Sequence, residues 1–434
     1  MAGNALYTRF AERRLTEALG DSPVTLIHGP RQCGKTTLAL MVCAPDQLSA
    51  EGPPSAVRPT GSPSYTYLTF DDAVTRAGAE ADPVGFVADL PEQVILDEVQ
   101  RVPGLFAALK VAVDRRRVPG RFLLTGSSNV LLVPALSDSL AGRMETLPLH
   151  PLTQCELEGS STSTGFLDAL FGGGFGTRRT ERLGRNLAER IVSGGYPAAL
   201  MRSAGRRRAA WYRDYLDAQL LRDVRDLARI RSLDVLPRLM SLAAAQTATL
   251  FNLSDLAAPF ELSRPTIRDY VALLEQVFLL EELPSWHSNR RSRLVKRPKL
   301  HVGDTGLACA LLGVDAEGLS GDRSLLGQLL ETFAYQELQR QASWHDAPMS
   351  FFHFRDRDGY EVDIVIEQGP RALAGVEVKA SATVTASDFR GLRRLRDAAG
   401  DRFAGGAVLY DGETSTSFGD RLHAVPIRLL WEMP

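Results

Sequence analysis

Cysteine is scarce in this chain. Four are scattered over 434 residues, at Cys33, Cys43, Cys155 and Cys309, with no CxxC pair and no histidine at metal-ligand spacing. That pattern argues against a structural zinc site and fits a reducing compartment. Long apolar runs are lacking too: none approaches the roughly 18 residues that a membrane span needs. The first residues, MAGNALYTRFAERR, contain no apolar stretch of the secretory kind. The expectation is a cytoplasmic protein without membrane contact. Charge imbalance is small, a net −2 from 50 Lys+Arg and 52 Asp+Glu, so any contact with nucleic acid must come from a local basic patch. What is present is ordinary for globular protein, 44% hydrophobic and 24% charged residues, which excludes a mainly disordered chain, a collagen-like fibre and a small disulfide scaffold. At roughly 150 residues per domain the length allows about three domains.

Residues 1–155 alternate apolar strand candidates (Val24–His28, Tyr65–Phe70, Val94–Leu96, Phe122–Thr125) with helical stretches, which predicts an α/β fold with a parallel sheet. A Pro/Gly/Ser-rich surface insertion, EGPPSAVRPTGSPS, precedes Tyr65. A Gly/Ser/Thr-rich stretch, 159–179, reads as a domain boundary. Residues 180–245 read as helical, and the alternating charges of Tyr212–Arg231 as a solvated, salt-bridged helix face.

Gly29-Pro30-Arg31-Gln32-Cys33-Gly34-Lys35-Thr36 matches GxxxxGK[ST] in full, after an apolar strand and at the start of a helix. The loop backbone of these residues and of Thr37 would curl around phosphate oxygens, with every residue but Pro30 carrying an N–H to donate, helped by the positive end of the helix. Lys35 would reach the β- and γ-phosphates and Thr36 would ligate Mg²⁺. In Val94-Ile-Leu-Asp97-Glu98 the carboxylates end a buried strand, where ligands bind in open α/β sheets. Asp97 suits the Mg²⁺ shell and Glu98 the base that polarises water. Thr125, Ser127 or Asn129, in LLTGSSN, would orient that water, or form a simple polar turn with Ser128. Arg143, in SLAGR, reads equally as a guanidinium for a neighbouring subunit's γ-phosphate, which implies a homo-oligomer, and as a surface salt bridge.

Residues 20–155 resemble the AAA-type P-loop ATPases. The chain as a whole is similar to a bacterial and archaeal family that joins such an ATPase to a C-terminal domain of uncharacterised function. The resemblance rests on GPRQCGKTT (29–37), YLTFDD (67–72), VILDEVQ (94–100), LLTGSSN (123–129), SLAGR (139–143), GGYP (194–197), KRPKLHVGDTGL (296–307), and EVDIVIE with GVEVK (361–379). It implies ATP rather than GTP as the nucleotide, sensor and Arg-finger roles for Thr125–Asn129 and Arg143, and a nucleotide contact at Pro197 in a lid element. An ordinary turn between helices is the alternative at Gly194–Pro197.

Residues 250–312 read as a winged helix-turn-helix. Ser254 would cap a helix Asp255–Phe260, and Ser263 a second helix with Pro265 in its first turn. Ile267, Val271 and Leu274 give that helix an apolar face, and Arg264 and Arg268 fall off it. Strands Val277–Leu283 and Lys299–Val302 flank HSNRRSRLVKRPK, which carries Arg290, Arg291, Arg293, Lys296, Arg297 and Lys299 and no acid. The second helix would enter the DNA major groove and the basic segment would meet phosphates. Docking on a protein is the alternative.

Farther on, a helix Leu325–Arg340 carries Glu331. Strands Met349–Phe354, Tyr360–Glu367 and Ala374–Lys379 follow, and Asp363, Glu377 and Lys379 can share one face. Two carboxylates and a lysine suit metal-dependent phosphodiester hydrolysis, with Glu331 as a further ligand. This looks like the PD-(D/E)xK nuclease core, except that Val362 stands where a proline is expected. Three readings stay open: an active nuclease, a nuclease-like fold that binds without cutting, and a charged surface hairpin.

The expected organisation is an AAA-type ATPase domain (1–155), a loop and helical lid region (156–249), a winged helix (250–312) and a nuclease-like α/β domain (313–434). The expected function is hydrolysis of ATP with Mg²⁺, coupled to a DNA-binding module with or without nuclease activity. The alternative is an ATP-dependent switch that holds a protein partner.

Overall fold

The stretch Val24–His28 (β1) is buried along its whole length, as a strand inside a parallel sheet must be. Around it lie Thr66–Thr69 (β2), Val94–Asp97 (β3), Phe122–Gly126 (β4) and Met144–Pro148 (β5). All pair in parallel in the order β2-β3-β4-β1-β5. Period-2 alternation divides their side chains between two faces. Val24, Leu26, Val94, Leu96, Phe122 and Leu124 pack with Phe106 and Leu109 on one side. Ile27, Ile95 and Leu123 pack with Leu15, Leu38 and Ala39 on the other. The expected α/β sheet is therefore present, with the Gly29–Thr36 loop leaving its central region and β4 lying between β1 and β3.

This computed structural model describes residues 6–45, 65–127, 140–160, 164–221, 234–288 and 297–433. The chain divides into two units, Met1–Leu152 with Gln276–Phe278, and Thr153–Glu275 with Leu279–Pro434. Among the described residues no helix is long and apolar enough to cross a membrane.

The second unit holds two sheets. Arg178–Arg179 (β6) belongs to the larger one, and Thr249–Leu250 (β7), Leu280–Leu283 (β8) and Lys299–Val302 (β9) form the smaller in the order β7-β9-β8. The larger continues with Met349–Arg355 (β10), Glu361–Gln368 (β11), Ala372–Lys379 (β12), Phe403–Tyr410 (β13), Thr414–Ser417 (β14) and Leu422–Pro426 (β15), in the order β10-β11-β12-β13-β15-β14-β6. Part of the stretch expected as a loose boundary thus forms an edge strand, since Arg178 and Arg179 pair with Ser415 and Thr414.

Other local expectations are corrected. Asn252, not Ser254, caps the helix Leu253–Ala257, its side chain accepting from Ser254 N at 3.1 Å. Ser263 does cap the following helix, Arg264–Gln276, accepting from Thr266 N at 3.3 Å. That helix runs on to Gln276, so β8 starts at Leu280 rather than Val277. The helix carrying Glu331 spans Arg323–Trp344, capped by Asp322. The helix Arg206–Gln219 is not solvated all round: Trp211, Tyr212, Tyr215 and Leu216 are buried. Trp211 and Tyr215 stack at 5.1 Å, and Tyr196 packs on both. The expectation for residues 222–231 lies outside the described residues, as does that for the insertion before Tyr65.

Candidate functional site

The phosphate-type loop is built on backbone geometry that its sequence permits. Gly29 has φ +156°, and a Cβ there would lie 2.0 Å from the carbonyl oxygen of Leu149, so only glycine allows the loop to leave β1 this close to the end of β5. The helix Lys35–Cys43 starts after Gly34 with no side-chain cap, leaving its first amides as donors. Cys33 turns inward and its thiol donates to Leu149 O at 3.2 Å. It therefore offers a ligand only its backbone. Arg9, from the start of the chain, donates to Cys33 O at 2.7 Å and to His150 O at 2.6 Å. Lys35 is buried, its ammonium donating to Gly29 O at 3.0 Å and Pro30 O at 2.8 Å. An anion in the loop would take over those bonds.

Thr36 and Asp97 come together: the Thr36 hydroxyl donates to Asp97 Oδ1 at 3.0 Å. Thr125 also donates to Oδ1, and Tyr67 donates to Oδ2 at 2.8 Å. Burial and the adjacent Asp97 charge push the Tyr67 phenol up, so it stays protonated and remains a donor. Glu98 sits at φ +60°, a left-handed conformation costly for a side-chain-bearing residue. Its amide donates to Thr125 Oγ1 at 3.3 Å, and its carboxylate accepts from Ser127 Oγ at 2.9 Å and from Gln100. Gln100 also donates to Ser127 Oγ at 2.8 Å. Burial, with the Lys35 charge beside it, lowers the His28 imidazole to about 4, so it is neutral near the loop. The residues fit a nucleotide with its divalent ion: an uncapped helix start, a lysine on exchangeable carbonyls, and a hydroxyl–carboxylate pair.

Arg143 forms a surface pair with Asp114, Nε to Oδ1 at 2.5 Å and Nη2 to Oδ2 at 3.0 Å. This is the surface-salt-bridge alternative. Ser128 and Asn129 lie outside the described residues. Pro197 belongs to the second unit and starts the short helix Pro197–Leu200. The turn before it is pinned within that unit. Gly195 N donates to Asp304 Oδ2 at 2.9 Å, and Gly306 N and Leu307 N donate to Asp304 Oδ1 at 2.9 and 3.3 Å. Gly194 has φ +63°, and a Cβ there would lie 2.1 Å from Asp304 Oδ1. The GGYP and GDTGL stretches thus meet at one buried aspartate, with Arg340 Nη2 3.6 Å from its Oδ2.

On the Arg264–Gln276 helix, Ile267, Tyr270, Val271 and Leu274 are buried, and Arg264 and Arg268 are exposed. Arg268 reaches Glu282 at 3.5 Å. Arg297 is exposed, whereas Arg290, Arg291, Arg293 and Lys296 lie outside the described residues.

The C-terminal carboxylates do assemble. Asp363, one step beyond the Ile364–Val376 pair of β11 and β12, faces Glu377. Its Oδ2 accepts from Val378 N at 2.9 Å, and Lys379 Nζ lies 2.7 Å from Glu377 Oε1. Sequence reasoning misplaced Lys299. It is 5% exposed, and its ammonium donates to Glu331 Oε1 at 2.6 Å and Asp363 Oδ1 at 3.1 Å. Burial opposes charge on Asp363, but Lys299 and the Val378 amide hold it below the usual carboxylate range. Burial and the neighbouring Asp363 raise Glu377 to about 8. The expected metal role of Glu331, Asp363 and Glu377 is not supported by this arrangement. Among the described residues no group of three or more His, Cys, Asp or Glu is placed to hold a metal ion.

Known proteins match in segments. Residues 21–158 match the AAA domain family, 184–318 a domain of unknown function (DUF8612) and 326–430 another (DUF4143). The uncharacterized proteins Rv2008c of Mycobacterium tuberculosis and Mb2031c of Mycobacterium bovis are each 30% identical over 423 residues, 96% of this chain and 83% of the relative. Among solved structures, the Walker-type ATPase PABY2304 of Pyrococcus abyssi aligns at 16% identity and a TM-score of 0.41, over 70% of this chain and 96% of that one.

Proposed function

Starting from the fact that the chain belongs to the family of these two mycobacterial proteins and carries an AAA domain, we propose that it hydrolyses ATP with Mg²⁺, and that nucleotide state governs a DNA-binding second unit. The observation that carries the ATPase reading is the join of Thr36 to Asp97, beside an uncapped helix start and a braced Glu98. The amides of Arg31–Thr37 and the Lys35 ammonium hold phosphate, once Lys35 exchanges its two carbonyl partners for it. Thr36 and Asp97 hold the divalent ion, which offsets phosphate charge when bound. Glu98 accepts a proton from water, and Ser127 and Gln100 fix the carboxylate that does so. In a homo-oligomer, Arg143 would leave Asp114 for a neighbour's γ-phosphate.

ATP binding and turnover of Lys35→Ala and Glu98→Gln test this. Lys35→Ala is expected to lose binding. Glu98→Gln is expected to bind normally and lose at least ~10²-fold in turnover, the lower range for general-base catalysis. Wild-type turnover in Glu98→Gln would reduce the protein to a nucleotide binder.

Exposed Arg264 and Arg268, opposite a buried apolar face, support the DNA reading. The helix–helix–strand–strand order with sheet order β7-β9-β8 suits a winged helix. Arg264→Ala with Arg268→Ala should lower DNA affinity and flatten its salt dependence by about one unit of log–log slope per lost phosphate contact. A second reading, an ATP-dependent switch that holds a protein through a non-cutting nuclease-like domain, is supported by Lys299 among the carboxylates. Absence of DNA affinity at low salt would favour it.

A further inference from the structure

Metal-dependent phosphodiester cleavage needs carboxylates that face a vacancy. Here Glu331 comes from a helix, Asp363 from β11 and Glu377 from β12, and the space between the first two is filled. The filler is Lys299 of β9, which lies 32 residues from Glu331 and 64 from Asp363 in sequence. Its stem is buried and its ammonium bridges both carboxylates. Two further acceptor positions are taken, Asp363 Oδ2 by Val378 N and Glu377 Oε1 by Lys379, while Glu377 Oε2 is buried without a hydrogen-bond partner.

The charged groups are paired as well. A buried carboxylate without a partner costs several kcal/mol, so a cluster of three acids requires cations or protons. Two lysines supply two positive charges, Lys299 at 2.6 Å from Glu331 and 3.1 Å from Asp363, and Lys379 at 2.7 Å from Glu377. Each of the three carboxylates thus already faces an ammonium with no metal ion. An ammonium cannot replace the metal chemically, because it has no bound water whose pKa it could lower and no open ligand position.

We infer that Lys299 is the resident cation of this cluster, standing where a divalent ion would sit, so that the C-terminal sheet has the layout of a nuclease without its metal chemistry. The inference rests on the nuclease-like reading of Asp363, Glu377 and Lys379, and is independent of ATP hydrolysis.

The test is calorimetric titration of the full-length, nucleotide-free protein with Mn²⁺. Wild type, Lys299→Ala, Lys299→Met, Asp363→Asn and Lys299→Ala/Asp363→Asn are compared. Wild type and Asp363→Asn should give the same isotherm, since no metal reaches the cluster. Lys299→Ala should gain one site at least ~10-fold tighter than any in wild type, and the double variant should lose it. Lys299→Met keeps the buried stem and removes the charge, so it carries the same comparison if the alanine variant does not fold. A wild-type Mn²⁺ site that Asp363→Asn abolishes overturns the inference, and Mn²⁺-dependent DNA cleavage lost in the same variant would then establish the nuclease reading. Folded Lys299 variants that gain no site overturn it as well, and would show that the carboxylates are no metal cluster at all. If neither lysine variant folds, the wild-type and Asp363→Asn isotherms still decide: equal heats uphold the inference and unequal heats end it.

Discussion

Replacing Asp304 by alanine should destabilise the second unit selectively. The aspartate is 1% exposed and accepts from Gly195 N, Gly306 N and Leu307 N, with Arg340 beside it. Each buried donor left without a partner costs about 1–3 kcal/mol. Breaking a buried charge pair costs about 3–5 kcal/mol. These overlap, because the same carboxylate serves all four groups, and the expected loss is about 4 kcal/mol. Asp304→Asn keeps one oxygen for the two helix amides but turns an NH₂ toward Gly195 N, so about half of that loss is expected. The assay is straightforward, because all four tryptophans, Trp211, Trp286, Trp344 and Trp431, belong to the second unit. Tryptophan fluorescence during urea unfolding therefore reports that unit alone. With a slope of about 2–3 kcal/mol/M the midpoint should fall by about 1–2 M. In an Arg340→Met background the further loss from Asp304→Ala should be smaller, since one unpaired charge is already gone. A loss below about 1 kcal/mol for Asp304→Ala would refute the claim that this residue joins the two motifs.

Other outcomes follow from individual side chains. Burial raises Glu337 to about 7, against the pull of Arg340 and the Gln154 amide, so the folded state holds this proton more tightly than the unfolded state. Its stabilising contribution is full below about pH 4.5 and drains away as pH rises through 7. Glu337→Gln should flatten that slope in urea titrations between pH 5 and 8, by up to about 3 kcal/mol. Arg143→Ala should change stability by less than about 1 kcal/mol, because its pair with Asp114 is at the surface; a fall in turnover that grows with protein concentration would mark the finger role. Thr125→Val removes a donor to Asp97 and an acceptor for Glu98 N. It should slow single-turnover ATP hydrolysis about 10-fold, the rate equivalent of ~1.4 kcal/mol, with binding nearly unchanged. All four cysteines are free and buried, so Ellman's reagent should label none rapidly in the native protein and all four after unfolding. Fast labelling of any one would contradict the packing described.

Legibility followed the distance between partners. The Gly29–Thr36 loop and the Asp97–Glu98 pair could be read because strand, turn and helix follow one another within about twenty residues of each motif. Tyr67 and Gln100 lie inside stretches that carry the family resemblance, yet their partners, Asp97 and Ser127, are brought in by sheet pairing. Arg9 gave no signal at all, since its partners are backbone carbonyls. Lys299 was misread because it ends a run of basic residues, and solvent is the default for such a run. Only the acids at 331 and 363 turn it inward. The edge strand Arg178–Arg179 could not be read locally, because it pairs with residues more than 230 positions away. The sequence points to Ser254 where Asn252 is the cap, because both side chains can accept from a helix amide.

Arg9 has one further consequence. It grips the loop at Cys33 O and the chain just beyond β5 at His150 O, while Leu149 N donates to His28 O at 2.8 Å and Leu149 O receives the Cys33 thiol. The main segment of the first unit runs on for three residues past Leu149, to Leu152. The loop and the polypeptide leaving β5 are therefore held by the same hydrogen bonds. The fold has, in effect, stitched the Gly29–Thr36 loop to the chain's exit from β5, and one guanidinium is the knot.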